Sequence, residues 1–295
     1  MVEWVLSTPV MKHSDPSPMD EVTSGGFAAE RRKPGRRNFV RVVSWNIERG
    51  LQFSAILDFL QSADADLILL QEVDLNVRRT QSRDIAGELA RSLRMNYVFG
   101  KEFQELSYGL RAHSQAVPAH HGLATLSPWP LFNPRVIRFQ RQSNFWKPRW
   151  FVPRTEIFQR RIGGRIALVA EVQIHSQRLA AYNLHLESKG KDELRVQQLR
   201  ETLEDARQHT ESSFVFVGGD FNLNATEGEA AAALHSNGFH DAVRRPELPT
   251  TATPFQSART IDWIYVSGAA RSDGQVHNGI RASDHYPVSA TFALS

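Results

Sequence analysis

The 295-residue chain contains no cysteine. That absence excludes disulfide bonds, thiolate metal sites, iron–sulfur clusters and a cysteine nucleophile. The sequence also has no apolar run near the roughly 20 residues that a membrane-spanning helix requires, and its first residues lack the apolar core of a secretory signal. These features predict a protein without a transmembrane segment, and we expect a cytoplasmic location by default because no export signal is visible.

Charge is abundant but nearly balanced. The chain carries 35 Lys or Arg against 32 Asp or Glu, a net charge of +3, with 41% hydrophobic and 23% charged residues. These proportions are typical of a globular protein and argue against a wholly disordered one. The small excess of positive charge is compatible with an anionic substrate.

Residues 1–38 differ in composition from the rest of the chain. Pro and Ser cluster at 13–18 and a basic run occupies 31–37, which predicts a disordered leader. The basic run could contact nucleic acid or an anionic surface, although a solvated linker is the simpler interpretation. Residues 39–295 show neither an internal repeat nor a second composition, which predicts one domain. We expect a monomer without an obligate protein partner.

Hydrophobic periodicity predicts more strands than helices in this domain. Eight short apolar runs predict strands: Phe39–Trp45, Leu67–Leu70, Gly122–Leu126, Arg165–Ile174, Arg178–Leu184, Phe214–Val217, Thr260–Val266 and Val288–Ala293. Four segments predict helices: Phe53–Ser62, Ile85–Leu93, Asp192–Gln208 and Ala230–Ser236. Because several strands are hairpin neighbours, a pair of mixed sheets covered by helices is favoured over strict alternation of strand and helix.

Polar residues that could carry chemistry lie at or near the ends of these strands. They are Asn46, Glu48, Glu72, His185, Asp220, Asn222, Asp262, Asp284 and His285. Strand ends that meet at one sheet edge can gather such side chains into one pocket. Oxygen ligands without thiolate suit Mg²⁺ or Mn²⁺, and two histidines could serve in proton transfer. Each residue alone also fits a turn or a helix cap, so the prediction rests on the whole set.

The motifs "LQEV" (70–73), "GDFN" (219–222) and "SDHYPV" (283–288) occur in this order. Together with Asn46 and His185, they resemble the endonuclease/exonuclease/phosphatase superfamily over nearly all of the predicted domain. The resemblance implies an α/β (α+β) fold, a four-layered sandwich of two mixed β-sheets packed face to face with helices outside. It also implies cleavage of phosphate esters with Mg²⁺ or Mn²⁺, so that 39–295 would be the catalytic domain.

The resemblance further implies a metal site. Glu72 matches the principal metal carboxylate of the superfamily, and Asn46 would lie beside it and assist with the metal or the phosphate. Asp284 would flank the metal. Glu48 occupies the position where some members keep a second acidic or amide ligand, so it is a weaker candidate.

Catalytic roles are implied in the same way. Asp220 would orient or deprotonate the attacking water, and Asn222 would donate a hydrogen bond to the scissile phosphate. His285 would contact the phosphate or transfer a proton, with Asp262 fixing its tautomer. His185 matches the histidine that protonates the leaving oxygen in DNase I-like and sphingomyelinase-like members.

The motif "NLHLES" (183–188) resembles the DNase I, sphingomyelinase and deadenylase side of the superfamily more than the abasic-site endonucleases. The favoured prediction is a nuclease that acts on DNA or RNA. A phospholipid or small-molecule phosphodiesterase or phosphatase is the alternative. A non-catalytic scaffold is less favoured, because such a protein is free to lose these motifs and none is lost.

The segment Leu131–Arg165 gives the main indication of substrate. It holds nine Lys or Arg residues against one acid and interleaves them with aromatic residues. This combination is typical of surfaces that bind flexible nucleic acid, and the candidate contacts are Arg149, Arg160, Arg161 and Trp146. Two alternatives stay open at this point: the aromatic side chains cap the core, or the segment contacts a membrane surface.

Overall fold

The computed structural model describes residues 19–28, 38–106, 118–146, 161–174, 176–209, 211–243, 248–251, 258–268 and 272–294. Within these ranges the strands are β1 (Thr23–Gly26), β2 (Phe39–Arg49), β3 (Leu67–Leu75), β4 (Asn96–Glu105), β5 (Ala119–Ser127), β6 (Leu131–Arg138), β7 (Arg161–Gly163), β8 (Ile166–Ile174), β9 (Gln177–His185), β10 (Phe214–Asp220), β11 (Phe239–Asp241), β12 (Asp262–Ser267), β13 (Ser272–Val276) and β14 (Val288–Ala293). The α-helices are α1 (Phe53–Ala63), α2 (Ile85–Leu93), α3 (Asp192–Ala206) and α4 (Gly228–Ser236).

The strands form two mixed sheets. One has the order β1-β4-β5-β3-β2-β14-β13, with β7 paired to β4, and the other has the order β11-β12-β10-β9-β8-β6. The pairs β2–β3 and β9–β10 are parallel, whereas their neighbours in each sheet are antiparallel. The carboxyl ends of the parallel central strands therefore lie at one edge of each sheet. The first residues of their antiparallel neighbours lie at the same edge.

Four layers result from how these sheets bury their faces. An apolar cluster that includes Val42, Leu69 and Phe216 fills the space between the two sheets. A second cluster packs α1 and α2 on the outer face of the first sheet, and a third packs α3 and α4 on the outer face of the second. The predicted sandwich of two mixed sheets with helices outside is confirmed.

The helices and strands predicted from periodicity are present with small changes at their ends. Helix α2 has the predicted bounds, and the Asp84 carboxylate caps it by accepting the Gly87 backbone N–H at 2.9 Å. Strands β2, β3 and β10 continue beyond their apolar cores into the polar residues of the candidate site. Strands β1, β4, β6, β7, β11 and β13 were not predicted.

The predicted disordered leader, residues 1–38, is wrong for part of its length. Strand β1 lies inside it and pairs with β4 at the edge of the first sheet. The Phe27 ring stacks on the Tyr97 ring at 6.3 Å, and the Asp20 carboxylate accepts the Arg138 guanidinium at 2.7 Å. These contacts compensate for a local sequence without apolar periodicity, which is why composition alone failed there.

No α-helix in the described ranges combines the length and the apolar character needed to cross a membrane.

Candidate active site

The predicted site residues come together at one edge of the two sheets. Asp220 ends β10, where it lies in register with His185 of β9 on one side and with Asp262 of β12 on the other. The Trp45 indole N–H donates to the His285 carbonyl at 2.9 Å and so joins β2 to the segment before β14. Residues up to 240 positions apart in sequence therefore share one pocket wall.

Irregular backbone aims several of these side chains. Glu48, Glu72 and Asn222 have left-handed φ values of 44°, 52° and 54°, a conformation that costs a non-glycine residue of the order of 1 kcal/mol. The β2–β3 pairing shifts register between Asn46 and Arg49, and the β3–β5 pairing shifts beside Glu72. Bulges of this kind commonly redirect a side chain next to an active site.

Close approach of β9 and β10 depends on one glycine. A Cβ at Gly219 would lie 2.0 Å from the Leu184 carbonyl oxygen, and the φ of Gly219 is +141°. Only glycine fits both the space and the backbone conformation. This residue therefore allows Asp220 and His185 to lie side by side.

Asp220 is the centre of the site. One carboxylate oxygen accepts the Asn222 backbone N–H at 2.9 Å, and the other accepts the Asn46 side-chain amide at 3.2 Å. That second oxygen also lies 3.6 Å from His185 Nε2 and 3.9 Å from His285 Nε2. Burial raises the pKa of Asp220, and Asp262 adds to this rise, while the two histidines and the Asn222 N–H act in the opposite direction. A buried carboxylate with a raised pKa suits a general base.

The pair His285–Asp262 is held as predicted. His285 Nδ1 lies 2.9 and 3.0 Å from the two Asp262 carboxylate oxygens. Burial by itself would lower the pKa of His285, but the charges of Asp262, Asp220 and Asp284 raise it to about 10. His285 is therefore an imidazolium at neutral pH, with Nδ1–H directed at Asp262.

This pair predicts how stability depends on pH. The pKa of His285 rises from an ordinary 6.5 to about 10 on folding, so its stabilising contribution is complete below pH 6.5 and is lost as the pH increases to about 10. In chelator, the unfolding temperature of the native protein should fall more steeply over that interval than that of the double variant D262N/H285Q. Calorimetry measures both slopes.

The matched control for this experiment is H277Q. His277 is partly buried and contacts Ser289 Oγ at 2.8 Å, but the pKa of His277 is lowered by burial. Its variant should therefore keep the slope of the native protein above pH 6.5. Equal slopes for the native protein and D262N/H285Q would contradict the assignment of an imidazolium at position 285.

His185 has partners that the sequence did not reveal. Its Nδ1 lies 3.2 Å from the Glu102 carboxylate and 2.7 Å from an Arg165 guanidinium nitrogen. Burial would raise the pKa of Glu102, but His185 and Arg165 lower it to about 2. Glu102 lies in strand β4, which was not predicted, so no local pattern in the sequence indicated that it would be the partner of His185.

On the other side of Asn46, Glu48 lies close enough to Asp284 and Glu72 for its charge to interact with theirs. Burial raises the pKa of Glu48, and the charges of Asp284 and Glu72 raise it further. Burial acts on Glu72 in the same direction, but nearby positive charges, among them Arg49 at 3.7 Å, lower the pKa of Glu72 well below its usual range. Hard oxygen donors of this kind fit a divalent cation such as Mg²⁺ or Mn²⁺.

Asn46 links these carboxylates to Asp220. Its amide N–H donates to Asp220, and its Oδ1 accepts the Glu48 backbone N–H at 3.1 Å. The Ser283 hydroxyl donates to the Asn46 carbonyl at 2.7 Å, which fixes the residue from the side of Asp284. These contacts give Asn46 a role in positioning Asp220 and Glu48. That the side-chain oxygen of Asn46 binds a metal stays a prediction.

Another group could also hold a cation. Ligand atoms of Asp220, Asp262 and His285 all lie within 4.8 Å of one another, and all three residues are buried. Within this group the His285 Nδ1 atom already contacts Asp262. The described residues therefore offer this buried group as one candidate position for a divalent ion, and the set Glu48, Glu72 and Asp284 stays a prediction.

Asn222 takes the predicted position beside Asp220. Its side-chain amide donates to the Leu186 carbonyl at 3.2 Å, and the Arg259 guanidinium donates to its backbone carbonyl at 2.9 Å. An amide NH₂ has two hydrogens. The residue is thus held in place while one N–H can still serve the phosphate.

The predicted substrate contacts are corrected in part. Trp146 is only 9% exposed, and its indole N–H donates to the Glu187 carboxylate at 3.0 Å. The Arg161 side chain is 14% exposed, pairs with Glu105 at 3.5 Å, and lies over the Trp146 ring. Both pack inside the protein because buried acids attract them. Arg149 and Arg160 lie outside the described residues.

His120 and His121 belong to strand β5. His121 is fully buried, and its Nδ1 lies 2.9 Å from Asp74. His121 also helps to lower the pKa of Glu72. This second His–Asp contact was not predicted from the sequence, in which the adjacent histidines at 120 and 121 are the one visible signal for it.

Comparison with known proteins agrees with this architecture. The model of the endonuclease/exonuclease/phosphatase family matches residues 43–285. The chain therefore belongs to the endonuclease/exonuclease/phosphatase family, whose members hydrolyse phosphoester bonds and typically depend on a divalent metal. A search of curated protein sequences found no significant match.

Solved structures with the same fold include an endonuclease/exonuclease/phosphatase from Beutenbergia cavernae, 20% identical, with a TM-score of 0.62 over 88% of this chain and 72% of that one. TDP2 from C. elegans is 20% identical, with a TM-score of 0.58 over 86% and 75% of the two chains. Beta toxin from Staphylococcus aureus is 14% identical, with a TM-score of 0.58 over 85% and 99%. At these identities the likeness establishes the fold alone.

Proposed function

We propose that the protein hydrolyses phosphodiester bonds of nucleic acid, with a divalent metal ion, by in-line attack of water. The observation that carries this proposal is the position of Asp220, which lies between two imidazoles and is hydrogen-bonded to Asn46, whose Oδ1 in turn accepts the backbone N–H of Glu48. Base, hydrogen-bond donors and metal ligands are thereby adjacent, as hydrolysis of a phosphoester requires.

In this mechanism Asp220 accepts a proton from the attacking water as the new P–O bond forms. The P–O bond to the leaving group breaks, and the His285 imidazolium supplies the proton that the leaving oxygen needs. Asn222 donates a hydrogen bond to a phosphoryl oxygen. Glu72, Glu48 and Asp284 would hold a Mg²⁺ or Mn²⁺ ion, which when bound stabilises negative charge on the phosphate.

An aromatic residue at the rim supports nucleic acid as the substrate. Phe145 is 61% exposed, packs edge-on against Trp146 at 4.7 Å, and has the Lys189 ammonium 5.8 Å from its ring centre. Trp146 is bonded to Glu187, two residues after His185, so this pair lies on the His185 side of the site. An exposed aromatic ring with a neighbouring cation can stack a base and attract its phosphate.

The test is turnover of plasmid DNA, single-stranded RNA, bis-p-nitrophenyl phosphate and sphingomyelin vesicles, each with Mg²⁺, with Mn²⁺ and with chelator. We expect metal-dependent cleavage of a nucleic acid that weakens as salt increases. Cleavage of sphingomyelin alone would overturn the choice of substrate and support a phospholipase-like phosphodiesterase. No turnover of any substrate would overturn hydrolysis itself.

The variant F145A should separate substrate binding from chemistry. Loss of one stacked base costs about 1–3 kcal/mol, so KM for single-stranded nucleic acid should rise by about 5- to 150-fold. The KM for bis-p-nitrophenyl phosphate should rise much less, because its rings are bonded directly to the reacting phosphate and it has no neighbouring base that reaches the rim. Steady-state kinetics with both substrates measures the difference.

F132A is the matched control, since Phe132 is 47% exposed but lies in β6 opposite Glu171, several residues from the site end of the sheet. It should leave KM for both substrates unchanged. An F145A variant that binds nucleic acid as well as F132A does would remove Phe145 from the substrate surface.

A further inference from the structure

Arg165 lies between a catalytic imidazole and its carboxylate. It is 3% exposed, and one of its terminal nitrogens, Nη1, is 2.7 Å from His185 Nδ1 and 3.1 Å from a Glu102 oxygen. Its other terminal nitrogen donates to the Ser188 hydroxyl at 3.1 Å. The rings of Phe103 and Trp146 lie 5.4 and 5.8 Å from the guanidinium carbon. The guanidinium is thus held on three sides.

The chemistry of the guanidinium decides which atom carries the proton. Arginine only donates hydrogen bonds and does not lose its proton in proteins. His185 Nδ1 must therefore accept from Arg165 and carry no hydrogen. The 3.2 Å approach of Nδ1 to Glu102 would require the opposite, an Nδ1–H donor. The two bonds exclude each other, and the 2.7 Å contact, made by a group that can only donate, prevails.

Among the residues that the structure describes, no guanidinium contacts the ring of the other imidazole of the site, His285. His285 Nδ1 is within 3.0 Å of both oxygens of Asp262, so it carries a hydrogen there. His185 instead faces Glu102 of β4, Arg165 before β8 and Asp220 of β10, and the positive charge of Arg165 offsets the carboxylate behind the ring. The two histidines consequently differ in which ring nitrogen is protonated.

We propose that Arg165 is a positioning residue that fixes His185 as a neutral imidazole with its hydrogen on Nε2, directed at the reacting phosphate. This inference rests on the proposed function. Nε2 is 3.6 Å from Asp220, beyond an ordinary hydrogen bond, so the N–H is available to the substrate. His185 then stabilises an oxyanion by hydrogen bonding, and it does not protonate the leaving oxygen as the superfamily resemblance implied.

Side-chain ¹⁵N NMR of histidine-labelled protein tests the inference at neutral pH, with H185Q to assign the signals. In the native protein we expect one unprotonated nitrogen, Nδ1, and one protonated nitrogen, Nε2, for His185. E102Q should keep this pattern, because Arg165 remains. R165M should move the proton to Nδ1 or protonate both nitrogens, because Glu102 is then the nearest charge, and R165K should restore the native pattern at least in part.

A doubly protonated or Nδ1-protonated His185 in the native protein would overturn the inference, and so would an R165M spectrum identical to that of the native protein. Removing one partner of a buried ion pair typically costs about 3–5 kcal/mol, so R165M could fail to fold. E102Q/R165M removes both charges, and loss of the native pattern in this variant but not in E102Q would support the role of Arg165 equally.

Turnover of bis-p-nitrophenyl phosphate by the same native sample separates this inference from the proposed function. Absence of turnover with the expected tautomer present would overturn hydrolysis and leave the role of Arg165 in fixing the imidazole. Turnover with a doubly protonated His185 would overturn the role of Arg165 and leave the proposed hydrolysis in place.

Discussion

The variant D220N should lower kcat for phosphoester hydrolysis by about 10²–10⁴-fold. Asparagine cannot accept the proton of the attacking water. Its carbonyl oxygen can still accept the Asn222 backbone N–H, which lies 2.9 Å from the Asp220 carboxylate in the native protein. The new amide NH₂ cannot accept the Asn46 hydrogen bond at 3.2 Å, but burial raises the pKa of Asp220, so removal of the buried charge should offset part of this loss in the free energy of unfolding. Steady-state kinetics and thermal unfolding of the variant measure the two effects separately.

D241N provides the matched control for this substitution. Asp241 also ends a short strand, β11, and its carboxylate accepts the backbone N–H two residues later, that of Val243, at 3.0 Å. The same chemical change away from the site should leave kcat at the native value. If D220N retains near-native kcat, Asp220 is not the base, whatever D241N does.

The variant E72Q should weaken metal activation more than any other single change. Loss of groups that merely support a metal ligand typically costs 10–100-fold in affinity, so loss of the carboxylate itself should raise the apparent dissociation constant for Mg²⁺ by at least about 100-fold. Glutamine keeps the size of the side chain but removes the negative charge that Arg49 balances at 3.7 Å. Activity as a function of metal concentration, together with calorimetric titration, measures the shift.

E229Q is the control for this change. Glu229 on α4 also pairs with an arginine, Arg200, at 2.9 Å, but both side chains are exposed. Its variant should keep the native dependence on Mg²⁺. If E72Q and E229Q respond alike, the metal does not bind at Glu72.

The sequence predicted the elements whose pattern is local. Strand β14 and helix α2 were predicted with their observed bounds, since β14 buries alternate residues and α2 buries apolar residues at three- and four-residue spacing. Strand β4 was missed because Gly100, Lys101 and Glu102 interrupt its apolar residues. Glu102 can be buried because Arg165, which is distant in sequence and precedes β8, neutralises its charge. That information lies in the tertiary contacts and not in the local pattern.

The candidate site was also predicted only in part: its motif residues were found, and the contacts of its basic residues were not. Asp220, Asp262 and His285 were predicted as a set, and the structure brings their side chains into contact. The basic segment was a weaker guide, because a count of positive charges does not reveal which acids they meet. Arg138 pairs with Asp20, from a region predicted to be disordered, and other basic residues of the segment pair with Asp205, Glu105 and Glu102.

The distance in sequence between Trp45 and His285 has a consequence during synthesis. Strand β14 follows His285 and lies between β2 and β13 in its sheet, so the first sheet cannot be completed until residues 288–293 have left the ribosome. Because domains generally fold as units as the chain emerges, the nascent protein passes through its synthesis without an assembled pocket. Chains that terminate before β14 should therefore have no activity at all, however well their N-terminal strands pair.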